Sequence, residues 1–221
     1  MKSYYAIEGL IRYYGLLPKT VEVITKTAEV CGELGVERPN IRRWKEPPHE
    51  VMANLPNDQQ GEGLVDLKAL AAFVRKHGPL FVQQPLGGDD GNEERFFCIT
   101  AKDFTSFQHL LRRAWRGERE ALETIESVAA KGLSIRLSVE TGGLELQVGS
   151  LWPFISVLFL RDYAAGKAKI CENAECPNPY FLRKRKGQRY CAHKCAVLVA
   201  VHRFREAQKE IGVLKARRKH K

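Results

Sequence analysis

Four cysteines, Cys171, Cys176, Cys191 and Cys195, fall within 25 residues with the spacing C-x4-C-x14-C-x3-C. Two close pairs joined by a loop of this length are how a chain builds a tetrahedral thiolate site, because each pair can sit on one tight turn. The expected occupant is a single structural Zn2+. Four cysteines close the coordination sphere, whereas catalytic zinc keeps one position open for water. Disulfides within the set would need an oxidising compartment, and the N-terminus has no secretory pattern. His193, between the second pair, reads as a surface residue rather than a ligand. Cys31 and Cys98 stand apart from the cluster and read as core residues.

The elements that must position these thiols are short. Asn173 and Asn178-Pro179 supply turn chemistry around the first pair, Tyr180-Phe181 begins a strand whose aromatic rings can pack on a metal-centred core, and Gly187 turns the chain back. A helix that starts at the second pair would put Cys191 and Cys195 on one face of its first turn. Such a helix continues with Val197, Ala200, Val201, Phe204, Ala207 and Ile211 on one side, and Lys194, His202, Arg205 and Lys209 fall together on the flank.

Charge follows the same division. The chain has 221 residues, 44% of them hydrophobic and 28% charged, and a net charge of +10. Residues 167–221 hold 16 Lys/Arg against 4 Asp/Glu, and residues 1–166 hold 20 against 22. The positive charge therefore belongs to one end. Arg183, Lys184, Arg185, Lys186 and Arg189 crowd the loop between the cysteine pairs. Together with Lys194, Arg205 and Lys209 they form the expected nucleic-acid-binding set, suited to phosphate with a few side chains reaching base edges. A protein-interaction module whose charge only keeps it in solution is the alternative.

The remainder reads as an α+β fold in three parts: an N-terminal mixed domain over 1–166, the zinc module over 167–212, and a basic tail over 213–221. Thr20 to Thr27 alternates as a strand, and Arg38 to Gly63, rich in Pro and Asn, reads as a long loop. Asp66 caps a helix carrying Leu67, Leu70, Ala71, Phe73 and Val74, stopped by Gly78-Pro79. A strand-like Leu80 to Gln84, a loop over Gly87 to Asn92 and a strand over Phe96 to Thr100 follow. Asp103 to Arg116 carries Phe107, Leu110, Leu111 and Trp115 at helical spacing; Glu118 to Lys131 carries Leu122, Ile125, Val128 and Ala129 and is closed by Gly132. Ser134 to Glu140 and Leu144 to Val148 form a hairpin about Thr141-Gly142-Gly143. Ser150 then caps an almost wholly apolar core helix over Leu151 to Ala165. No apolar run is long enough to span a membrane, and the expected location is the cytoplasm.

Between Ile170 and Cys195 the pattern Ile170-Cys171, Cys176-Pro-Asn-Pro-Tyr180-Phe181 and Gln188-Arg189-Tyr190-Cys191-Ala-His-Lys-Cys195 resembles the CGNR-type zinc finger of bacterial proteins. Leu110 to Gly117 and Gly149-Ser150-Leu151-Trp152 are similar to that family in kind and position. In the family the finger follows an α/β domain called ABATE, and its members are described as stress-induced transcription regulators. The resemblance implies a zinc-dependent bacterial regulator that binds DNA rather than RNA, with the N-terminal domain as its sensor. It leaves open a small-molecule effector and a homodimer, for which no pairing helix is evident. The chain would be a divergent member: Ala196-Val197-Leu198 stand where the family continues Gly-Asn-Arg, and an Asp-Phe-x-Asn-Thr type motif is absent from Met1 to Thr20. No nucleophile elbow, phosphate-cradling glycine loop or His-Glu metal motif indicates an enzyme. Asp89, Asp90, Glu93 and Glu94 read as a solvated loop; Trp115 and Trp152 read as core.

Overall fold

The computed structural model describes residues 11–13, 22–24, 29–33, 46–57, 63–81, 96–137, 144–148 and 150–219. The strand expected over Thr20 to Thr27 is β2 (Glu22–Ile24) where described, preceded by β1 (Ile11–Tyr13) and followed by β3 (Glu29–Glu33). The loop over Gly87 to Asn92 and the acidic residues Asp89, Asp90, Glu93 and Glu94 lie outside the described residues.

The predicted loop over Arg38 to Gly63 contains a helix, α1 (Pro48–Asn54), which the Pro and Asn content concealed. Pro48 sits in its first turn, where a missing N–H costs nothing. Seven residues cannot hold a helix by themselves. Their free C-terminal carbonyls are met from elsewhere: Gln108 Nε2 donates to Met52 O and Leu55 O at 3.0 and 2.9 Å, and Arg112 donates to Ala53 O and Leu55 O at 2.8 and 3.0 Å. The helix is therefore a tertiary product.

The other helices follow local rules more closely. α2 (Leu67–His77) is capped by Asp66, whose Oδ1 accepts from Ala69 N at 2.8 Å, and it ends at Gly78 with φ of +94°. Leu80 and Phe81, expected to open a strand, belong to none; residues 82–84 lie outside the described residues. β4 (Phe96–Thr100) leads into α3 (Ala101–Trp115), which starts two residues before the expected Asp103. The reason is Thr100: its Oγ1 accepts from Asp103 N at 2.9 Å and donates to the Asp103 carboxylate at 2.8 Å. α4 (Arg119–Gly132) and α5 (Leu151–Ala164) pack along each other. Gly132 is the last residue of α4 rather than its stop. A Cβ there would lie 2.1 Å from Pro153 Cβ, so the glycine is what lets α5 close on α4. Ser150 holds the N-cap position of α5, but its side chain makes no capping bond.

Three sheets complete the α+β architecture. β5 (Leu133–Leu137) and β6 (Leu144–Val148) form the expected antiparallel hairpin, with Leu133 opposite Val148, and β1 joins β6 in parallel. β3 lies between β2 and β4, antiparallel to both. In this sheet Cys31 and Cys98 are opposite one another and joined by a disulfide, and neither is buried, which corrects their reading as separate core residues. Their 67-residue separation hides a pairing that only the strand register creates. β7 (Ala168–Ile170) and β8 (Tyr180–Leu182) form the third sheet, and α6 (His193–Lys219) runs unbroken through the 212/213 division.

The core is centred on α5, of which Leu151, Trp152, Ile155, Leu158 and Phe159 are buried, together with Leu70, Val74, Phe104, Leu111 and Ile125. Trp115 packs against the Phe159 ring, as the core reading expected. Among the described residues no helix is long and apolar enough to cross a membrane.

Candidate metal centre

β8 alternates between two environments. Tyr180 and Leu182 belong to the main core, whereas Phe181 packs with Cys171, Cys176 and Cys195 in a separate small cluster. Successive strand residues point to opposite faces, so a three-residue strand serves both. Tyr180 therefore does not cover the thiols, and only Phe181 meets that expectation.

Cys171 follows β7, and Cys176 closes the turn before β8 through Cys176 N to Asn173 O at 3.0 Å. Cys195 lies in the first turn of α6. Cys191 sits two residues before that helix rather than within it, as its sequence spacing had suggested. The sulfurs nonetheless converge: Cys176 to Cys191 at 3.5 Å, Cys191 to Cys195 at 3.6 Å and Cys195 to Cys176 at 3.6 Å, with all four within 4.8 Å of one another. A disulfide would bring a pair to about 2.05 Å. A tetrahedron with metal–sulfur bonds of about 2.3 Å has edges of roughly 3.8 Å. The four thiols could hold a metal ion.

The backbone is arranged for thiolate. Cys191 N donates to Cys171 Sγ at 3.5 Å, and the backbone at Asn178 donates to Cys176. Burial pushes the Cys176 thiol up, and burial with the neighbouring sulfurs pushes Cys191 far up. Cys195 moves down, chiefly because the buried Asn173 side chain hydrogen-bonds to it. Unscreened sulfurs this close resist joint ionisation, and a divalent cation removes that resistance.

The loop between the pairs turns at Gly187, with φ of +79°, and is tied by Gln188, whose Oε1 accepts from Lys184 N while its Nε2 donates to Tyr190 O. Lys184, Arg185 and Arg189 line a cleft of about 510 Å³ together with Tyr190, His193 and Ala196. His193 is exposed, as expected of a surface residue. Arg189 forms a two-pronged ion pair with Glu172, so its charge is partly used within the module. Lys186 is exposed but does not line the cleft, and Arg183 is half-buried beside Gly166. Lys194, Arg205 and Lys209 are exposed on α6, where Lys209 stands roughly 22 Å along the axis from Lys194. The structure thus gathers three of the eight basic residues at one cleft and strings three more along a helix.

Residues to which sequence reading gave no part in this module seat it on the body. Asn54 Nδ2 donates to Tyr180 O at 2.6 Å and its Oδ1 accepts from Tyr180 N at 3.1 Å, so one side chain continues the β8 edge. Trp115 Nε1 donates to Lys169 O at 3.0 Å. Asp162, wholly buried, lies 3.3 Å from His49 Nε2, is paired with Arg161, and has Lys167 Nζ at 3.8 Å. Burial would raise its carboxyl, but His49 and Arg161 outweigh burial and hold it below the usual carboxylate range. Burial pushes the His49 imidazole down, against the pull of Asp162. Glu50, beside the same seam, is raised to about 7 by burial first and Glu46 second. For His49, Glu50 and Asn54 the available signal was their spacing on α1, a helix the sequence had not revealed.

No protein-family model matches this chain, and no curated protein matches it.

Proposed function

We propose that residues 171–195 bind one structural Zn2+ and that the module it folds holds nucleic acid, with the chain acting as a DNA-binding transcription regulator rather than an enzyme. The observation that carries this reading is the meeting of four thiols at tetrahedral spacing beneath a loop whose exposed cations, Lys184 and Arg185, border an open cleft. All-sulfur tetrahedral donation with backbone N–H support suits zinc. The four thiolates leave the site with net negative charge, which the surrounding Lys and Arg offset. Phosphates would meet Lys184, Arg185 and the α6 flank, with Lys186 and Arg183 contributing at the margins.

The test is selection of the zinc-loaded protein against a random duplex library at two salt concentrations, with Lys184→Ala/Arg185→Ala as control. An enriched motif, bound more weakly as salt rises and lost in the control, is the expected result. Undiminished binding after chelation would refute it. A second reading, a metal-stabilised protein-interaction module, is favoured by the exposed apolar residues of α6. It requires no nucleic acid binding even at low salt.

A further inference from the structure

The four clustered thiols are not equally placed. Cys171, Cys176 and Cys195 are buried, at 6%, 9% and 7% exposure, whereas Cys191 is partly exposed. Cys191 also stands in the wall between two clefts. One is the basic cleft bordered by Lys184 and Arg185; the other, of about 260 Å³, lies on the α1 side, where Glu50, Asn54 and Tyr180 line it. Cys191 lines both, and none of the other three thiols lines either.

Hydrogen bonding divides the thiols in the same way. Cys171 Sγ accepts from Cys191 N at 3.5 Å, Cys176 accepts from the backbone at Asn178, and Cys195 accepts from the Asn173 side chain. An N–H donated to sulfur stabilises its thiolate, and a more stable thiolate is a weaker nucleophile. Among the described residues, the polar contacts of Cys191 Sγ are the other sulfurs, Cys176 at 3.5 Å and Cys195 at 3.6 Å. Cys191 therefore combines open access with an undamped sulfur. In the metal-bound cluster all four sulfurs are thiolates, so access and hydrogen bonding choose which one reacts.

We propose that Cys191 is an oxidation site through which a small hydroperoxide opens the cluster. The proposal rests on the metal reading given above and adds regulation to the same site. The Cys191 thiolate attacks one peroxide oxygen, the O–O bond breaks, and Cys191 becomes a sulfenic acid as hydroxide leaves. The thiolate of Cys176 or Cys195 then attacks the Cys191 sulfur, the S–O bond breaks, a second hydroxide leaves and a disulfide forms. Two sulfurs each give up one electron, the peroxide gains both, and water protonation balances the hydroxides. Zn2+ itself has no redox chemistry, so the electrons come from sulfur alone.

The fold permits this closure. A disulfide needs its sulfurs roughly 1.5 Å closer than they stand here, and Cys191 lies two residues before α6, where it can shift without unwinding the helix. Forming the bond removes two of the four donors. The loop carrying Lys184 and Arg185 joins Cys176 to Cys191, so loss of the metal frees the border of the basic cleft.

The zinc-loaded full chain, cleared of unbound zinc, is titrated with hydrogen peroxide while released zinc is read with a chromogenic chelator and disulfides are mapped by peptide mass spectrometry. Zinc should be lost mole for mole with a disulfide joining Cys191 to a second cysteine of the cluster, and a phosphine reductant should restore full zinc uptake. A cluster disulfide that omits Cys191, or a loss that reduction does not reverse, overturns the proposal. In a second arm without peroxide, a limiting dose of iodoacetamide should label Cys191 before Cys171, Cys176 or Cys195; earlier labelling of any of those three overturns it as well. Both arms use the unsubstituted chain, so no lost ligand can unfold the module. A chain that takes up no zinc overturns this proposal together with the metal reading, whereas a chain that holds its zinc against excess peroxide overturns this proposal alone.

Discussion

The body and the C-terminal module solve the same problem with different materials. Around α5 the chain buries Trp152, Phe154, Ile155, Leu158 and Phe159 with apolar neighbours from α2, α3 and α4, and removal of that surface from water supplies the stability. The module has a core of three cysteines and Phe181, with Tyr190 and Cys191 packed at its edge. So few side chains cannot offset the entropy of ordering some 25 residues. The four thiols could hold a metal ion, and on the proposed reading its coordination takes the place of burial in this region. Where the regions meet, one strand serves both.

Removing the metal breaks this comparison most severely. Binding at structural zinc sites is worth on the order of 10 kcal/mol, and that energy is folding energy. Chelation, or Cys176→Ser, should unfold residues 171–195 and leave α3, α4 and α5 folded. Amide spectra should lose the dispersed signals of β8 and the α6 start while Leu111 and Ile125 keep theirs. A chelated protein with an intact β7–β8 hairpin would show that the body alone holds it.

The reciprocal perturbation is smaller. Phe159 is fully buried and stacks near Trp115 and Tyr163. Phe159→Ala should cost about 3–5 kcal/mol in a denaturant titration of the body. Metal content under native conditions should be unchanged, since Phe159 and the four clustered cysteines belong to different cores. Loss of metal at the same denaturant concentration as loss of the body would mean that the two regions unfold as one.

What sequence could reveal divides along the same line. Local features were legible: the Asp66 cap, the α3 and α4 periodicities, the β5–β6 hairpin and the cysteine spacing all depend on neighbours within a few residues or on a chemical type with few uses. Features created by distant partners were not. α1 exists because Gln108 and Arg112 satisfy its carbonyls from more than fifty residues away. The Cys31–Cys98 disulfide depends on a register set by two strands, and Gly132 depends on Pro153. The thiol cluster was legible as a set, but its seat on the body, through Asn54, Glu50, His49 and Asp162, required α1 and stayed hidden with it. The apolar residues of α6 were visible too, although periodicity alone could not say that Val197, Leu198, Val201 and Phe204 would stay exposed.

The seam between the regions also carries a pH signature. Glu50 has its carboxyl raised to about 7 from 4.5 by burial and by Glu46. A raised acid binds its proton more tightly when folded, so its favourable contribution is complete below about pH 4.5 and is lost as pH rises through about 7. Glu50→Gln removes the ionisation. It should leave the urea midpoint unchanged near pH 4.5 and raise stability near pH 8 by at most about 3 kcal/mol, the free-energy equivalent of that shift. An equal gain at both pH values would show that the carboxylate is not desolvated at this seam.

The smallest effect is the most specific. Asn54 gives and receives one hydrogen bond with the backbone of Tyr180 and donates a third to Glu50 O at 3.0 Å. Asn54→Ala strands both Tyr180 groups at a buried edge and should cost about 1–3 kcal/mol. On the proposed reading the loss should be local, because a metal held by the four thiols would still fix Cys171 and Cys176 while the body still holds α5. Faster amide exchange confined to β7 and β8, with α5 protection unchanged, is therefore the expected pattern. Asn54→Asp separates the two bonds: its carboxylate still accepts from Tyr180 N but cannot donate to Tyr180 O, so it should recover only part of the protection. If Asn54→Ala left exchange in β8 untouched, the metal alone would suffice to order the hairpin, and the strand would belong to the module rather than to both regions.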